Sequence, residues 1–114
     1  MIAHFKQWDI FLVNFDPSVG HEYQKERPAI IIQSDRQLQK TSLITVMPLT
    51  SQISNRKPDD ILIHKNPKNK LFSDSLIKVH FITSFDRTRF IKKIGEVDKD
   101  TMVKIKNYLK LHFQ

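Results

Sequence analysis

The sequence predicts a mainly β domain with some α content (α+β): a small antiparallel β-barrel carrying a C-terminal α-helix. Three observations point there. Short runs rich in Val, Ile, Phe and Trp recur between polar turns, which is the pattern of strands. The one long stretch with apolar residues at helical spacing follows Asp98. A length of 114 residues is sufficient for one core but short of two, so residues 1–114 are expected to be a single domain.

Trp8–Phe15 (WDIFLVNF) reads as a strand buried on both faces. It ends at Asp16-Pro17, where Asp can bond the backbone ahead of it and Pro presets its own dihedral, and the turn closes near Gly20, which tolerates positive φ. Ala29–Gln33 is the second strand. Arg27 stands at its mouth, pushed toward an extended backbone by Pro28. Ser34–Ser42 is polar and has room for a helical turn. Leu43–Leu49 is the third strand, with Pro48 marking an edge or a bulge.

Ser51–Asp60 holds a single apolar residue, Ile53, and reads as a surface loop. A short strand, Ile61–His64, and a second basic loop, Lys65–Ser75, follow. Leu76–Phe81 alternates clearly: Ile77, Val79 and Phe81 fall on one face, Leu76, Lys78 and His80 on the other. On such a strand Lys78 and His80 would lie roughly 6.5 to 7 Å apart, a span that a phosphodiester could bridge or that simple solvation of an outer face would explain equally well. Thr83–Lys93 reads as a cationic turn carrying Arg87, Arg89, Lys92 and Lys93, with Phe85 and Phe90 as core anchors rather than stacking platforms. A helix starts near Asp98 or Asp100 and offers Met102, Ile105, Leu109 and Phe113 to the core.

Composition narrows the function. Hydrophobic residues make up 39% of the chain and charged residues 27%, which excludes a disordered tail. Lys and Arg outnumber Asp and Glu by 19 to 12, a formal charge of +7 that favours a polyanion or an acidic protein as partner. Without cysteine, neither a disulfide framework nor a thiolate metal site is possible, and the five histidines lack zinc-site spacing. No metal and no cofactor are expected. The N-terminus has no signal pattern and no apolar run reaches membrane-spanning length, so a cytoplasmic protein that does not contact membrane is expected.

The residues best suited to chemistry are His21, Glu22, Lys25 and Arg27, a polar loop running into an apolar strand. A fixed cation beside a mobile imidazole suits a phosphate. A hairpin loop with solvated charges is the plainer reading of the same residues.

The order DPSVGHE, ERPAIIIQS, VMPLTSQ, then a Ser-Asp-Ser strand, a basic turn and a terminal helix resembles the MazF/PemK (Kid) toxin family over residues 7 to 113. The resemblance implies an SH3-like β-barrel that forms a homodimer, cleaves single-stranded RNA at short sequences without a metal, and is neutralised by an acidic antitoxin. It places Arg27 on the arginine that stabilises the transition state or protonates the leaving group, Thr50 on the threonine that bonds the scissile phosphate, and His21 on a loop histidine of the PemK branch. Lys78 takes the place of a catalytic arginine, and His80 that of an Asp or Glu, which makes His80 a candidate general base and Lys78 a point charge rather than a fork. Glu22, Lys25, Ser51, Arg87 and Arg89 are expected RNA contacts. Trp8 and Lys25 stand where the family often has glycine, and Thr83 or Ser84 where it commonly has arginine. Two other readings share the fold: a CcdB-type gyrase inhibitor, whose C-terminal determinants Leu111-His112-Phe113-Gln114 does not obviously supply, and a basic RNA-binding module without chemistry.

Overall fold

In the computed structural model, which describes residues 4–15 and 26–113, the apolar runs become antiparallel strands. They are β1 (Asp9–Asn14), β2 (Glu26–Ile31), β3 (Leu43–Thr50), β4 (Ile61–Ile63), β5 (Ser75–Ile77), β6 (Thr83–Asp86) and β7 (Phe90–Glu96), with helices α1 (Asp35–Leu38) and α2 (Lys99–His112). The sheet runs β4-β5-β3-β2-β1-β7, and β6 pairs with β3 off this path.

Alternation along β1, β2 and β3 feeds two cores, one from each face. Ile10, Ile30, Met47 and Leu49 join Ile77, Val79, Val97 and Ile105 under α2. Phe11, Val13, Ala29, Ile31, Ile44 and Val46 form the second cluster, closed by Leu38 of α1 and by Phe5, Phe85 and Phe90 packed at its margin. The two-sided burial expected of the first strand and the core role expected of Phe85 and Phe90 are what the structure shows.

The barrel is open. β4 and β7 end the sheet and are not paired with each other. The loop after β4 spans the gap, where the Lys68 carbonyl accepts the Glu96 amide at 3.1 Å. That approach requires Gly95, since a methyl group there would overlap the Asn69 carbonyl.

Several boundaries move for physical reasons. β1 starts at Asp9 because Trp8 has φ 77, outside the extended region. Its amide and carbonyl are both held, by Ile31 O at 2.7 Å and Val97 N at 2.9 Å. β2 begins at Glu26, so Arg27 belongs to the strand. Pro48 lies within β3, where pairing with β6 gives way to pairing with β5, and its missing N–H falls at that change of partner. The expected strand Leu76–Phe81 ends at Ile77. Lys78 (φ −85, ψ 79) turns the chain into a 3₁₀ turn over Val79–Phe81, so Lys78 and His80 do not share a strand face. The expected turn over Thr83–Lys93 is two strands, β6 and most of β7, joined by a 3₁₀ turn at Arg87–Arg89. Phe113, expected in the core, is exposed at the end of α2.

Asp98 is the N-cap of α2, its Oδ1 accepting the Thr101 amide at 2.8 Å while Oδ2 accepts from Asn66 Nδ2 at 3.3 Å. The bond from the Thr101 backbone, followed by the Thr101 side chain, holds the carboxyl below its ordinary value of 3.8. A carboxyl depressed in the folded state stabilises the fold above its unfolded pKa and loses that contribution as pH falls through the folded pKa. Asp98→Ala is therefore expected to cost about 1 kcal/mol at neutral pH. The gap from wild type in urea denaturation should narrow as the pH falls through the lowered pKa of the folded state; a gap unchanged in acid would show that the cap does not act through its charge.

Candidate nucleic-acid cleft

β2 and β3 pair with Ala29 opposite Pro48. Arg27 and Thr50, two residues outward on each strand, therefore arrive at the same end of the sheet. Pro28 keeps Arg27 extended, and the Arg27 side chain turns along the strand edge so that Nη1 donates to the Leu49 carbonyl at 3.3 Å. The residue is 9% exposed. A buried guanidinium held by backbone is a cation of fixed position.

Among the described residues, Glu26, Arg27, Pro28, Leu49, Thr50, Ser51 and Gln52 line a cleft of about 110 Å³. The cleft is open to solvent, so a phosphate can reach Arg27 from outside. Thr50 Oγ1 accepts the Gln52 amide at 3.2 Å, which fixes the hydroxyl oxygen and leaves its hydrogen to donate outward. Ser51 is exposed beside it. Cation and hydroxyl donors thus converge with one carboxylate, Glu26, at the rim.

The structure brings together Arg27, Thr50 and Ser51 of the expected site. His21, Glu22 and Lys25 lie outside the described residues, as does the Asp16-Pro17 turn. Lys78 and His80 do not line the cleft. Lys78 Nζ is 2.6 Å from Asp60 Oδ2, with side-chain exposures of 13% and 1%. His80 Nε2 lies 3.1 Å from Asp59 Oδ2, and its Nδ1 lies 3.2 Å from the Tyr108 hydroxyl. Tyr108 in turn stacks on His112 at 4.1 Å between ring centroids. Both His80 nitrogens are engaged in a polar cluster that ties the Ser51–Asp59 loop to α2.

Arg87 is likewise committed. Its guanidinium donates to the carbonyls of Leu38 and Thr41 and lies 5.0 Å over the Phe5 ring. Arg89 is half-buried in the same 3₁₀ turn, and neither arginine lines the cleft. Glu26 and Gln52 are cleft residues that sequence reasoning missed. Their only signal was adjacency to Arg27 and Thr50, which becomes meaningful once the two strands are paired. Among the described residues, no group of three or more His, Asp or Glu side chains could hold a metal ion, and no helix is long and apolar enough to cross a membrane.

Residues 6–113 match the family model described as PemK-like, MazF-like toxin of type II toxin-antitoxin system. Endoribonuclease MazF9 of Mycobacterium tuberculosis is 29% identical over 112 residues, covering 94% of each chain. The fold is similar to that of MazF from Deinococcus radiodurans, with a TM-score of 0.76 at 22% identity over 95% of this chain and 94% of that one. It is also similar to a mycobacterial endoribonuclease in complex with its cognate antitoxin, with a TM-score of 0.68 at 16% identity over 93% and 89% of the two chains. A family model that spans nearly the whole chain, on a fold that these structures share, means that the chain belongs to the PemK-like, MazF-like toxins of type II toxin–antitoxin systems.

Proposed function

We propose that this toxin is a metal-independent endoribonuclease that cuts single-stranded mRNA at short sequences. The observation that carries the reading is the open cleft that buried Arg27 lines together with Thr50 and Ser51. Similarity to a relative named as an endoribonuclease, over nearly all of both chains, supports it.

In the proposed reaction the ribose 2′-oxygen attacks the adjacent phosphorus, the bond from phosphorus to the 5′-oxygen breaks, and that oxygen leaves with a proton taken from solvent at the open cleft. The products are a 2′,3′-cyclic phosphate and a 5′-hydroxyl. Arg27 stabilises the charge on the phosphorane, and Thr50 and Ser51 hold its oxygens. The 2′-hydroxyl proton goes to a group at the rim of the cleft, where Glu26 stands and where the segment carrying His21, Glu22 and Lys25 joins β2. Lys78 holds Asp60. His80 enters proton transfer only if the Asp59 and Tyr108 contacts release it.

The toxin acts in the cytoplasm as a homodimer and is neutralised by an acidic antitoxin that competes for the basic RNA surface. A structural neighbour solved with its cognate antitoxin supports that partner. The test is to incubate the protein with a long single-stranded RNA in excess EDTA and map the ends. Discrete cuts with 5′-hydroxyl ends are the expected result, whereas bound but intact RNA would reduce the protein to a binding module. In the same assay His80→Ala should keep the wild-type pH profile; a changed profile would return the general base to His80.

A further inference from the structure

The loop between β4 and β5 is built rigidly around two asparagines. Asn69 is wholly buried. Its Oδ1 accepts the Asn66 and Leu71 amides, both at 3.0 Å, and its Nδ2 donates to the His64 carbonyl at 2.9 Å. Asn66 Oδ1 accepts the amides of Lys68 and Asn69 at 2.9 and 2.7 Å. The loop seats Leu71 in the core under α2 and presents the next residue, Phe72, fully exposed. A Phe ring held in water on a pinned loop is costly, and its preorganisation lowers the cost of binding something.

The loop that carries Phe72 is cationic. Lys65, Lys68 and Lys70 are exposed on the same loop. Its one carboxylate, Asp74, is already occupied by the Lys65 amide at 2.9 Å and by His64 Nδ1 at 3.1 Å. A single ring set among lysines and polar residues lacks the contiguous apolar area that a protein partner would bury, whereas it suits one nucleobase with a phosphate on either side.

The loop also lies within reach of the cleft. It feeds β5, in which Leu76 faces Thr50. Four residues at no more than about 3.6 Å each, plus one strand spacing, put Phe72 within roughly 20 Å of Thr50. A stacked strand advances about 3.4 Å per nucleotide, so some six nucleotides or fewer bridge the two.

We propose that Phe72, with Lys68 and Lys70 on the same loop, is a distal stacking subsite for single-stranded RNA whose scissile phosphate lies in the Arg27 cleft. The proposal rests on the cleavage reading above.

Its test uses 2′-O-methyl oligonucleotides, which lack the attacking hydroxyl and bind without being cut, at lengths of about four and about ten nucleotides, spanning the footprints of single-strand-binding folds. Phe72→Ala is expected to weaken the longer ligand about tenfold and leave the shorter one unchanged, and Phe72→Trp to restore the longer. Equal affinity of wild type and Phe72→Ala for the longer ligand overturns the proposal. So does full affinity in Phe72→Leu, which would make the contact apolar rather than stacked. A change in oligomeric mass or in affinity for a partner protein, with RNA binding intact, also overturns it and makes Phe72 a protein contact. The binding readout does not need turnover, so a wild-type protein that fails to cut RNA would sink the cleavage reading while still reporting on Phe72.

Discussion

Arg27→Ala is expected to lower RNA cleavage by about two to three orders of magnitude, the loss typical of removing one preorganised donor from a developing anion. The guanidinium stands at the cleft because β2 holds it extended and the Leu49 carbonyl holds its Nη1. Removing it therefore also costs stability, by about 1 to 3 kcal/mol for the polar group left behind. The two effects separate if kcat is measured at a temperature where circular dichroism shows the variant folded. Arg27→Lys keeps the charge but loses the planar fork, and should recover only a small part of the rate. A folded Arg27→Ala protein that cuts at the wild-type rate would place the chemistry elsewhere.

Lys78→Ala is expected to be the most destabilising single change at a charged residue. Lys78 and Asp60 form a buried pair at 2.6 Å. Asp60 Oδ2 also accepts the Lys57 amide at 2.9 Å, and no partner for Oδ1 is found among the described residues. Taking the ammonium away leaves a desolvated carboxylate, a loss of about 3 to 5 kcal/mol. Lys78→Met combined with Asp60→Leu removes both charges and should lie within about 1 kcal/mol of wild type or above it. Urea denaturation reads both. If Lys78→Ala unfolds like wild type while kcat collapses, Lys78 belongs to the reaction as the family resemblance implies, and the ion pair is incidental.

The central sheet was legible because β1, β2 and β3 are apolar runs whose two faces both enter cores, so composition alone marks them. β7 was not legible. Among the described residues it pairs only with β1, through two register shifts, and it shows solvent Ile91, Lys92 and Lys93 in succession, which reads as a charge run. Leu76–Phe81 misled for a different reason. Alternation describes a strand only while the backbone stays extended, and nothing in the side chains announces the turn at Lys78. At the site, Arg27 and Thr50 carried local signals in Arg-Pro and Pro-Leu-Thr-Ser. Glu26 and Gln52 depended on pairing between strands, and the Asp59–His80–Tyr108 cluster draws on three separate segments, which no spacing rule reveals.

The way β7 and α2 complete the structure bears on when the toxin becomes active during its synthesis. Ile10 and Ile30 are packed with Val97 and Ile105, and β1 finds its second neighbour only in β7. A nascent chain that has emerged through β6 still shows that apolar face to water, with one edge of β1 unpaired. The fold therefore stays unfinished until β7 and α2 have emerged. The moment at which the RNA cleft gains a rigid support is also the moment at which an antitoxin already present in the cell can meet it.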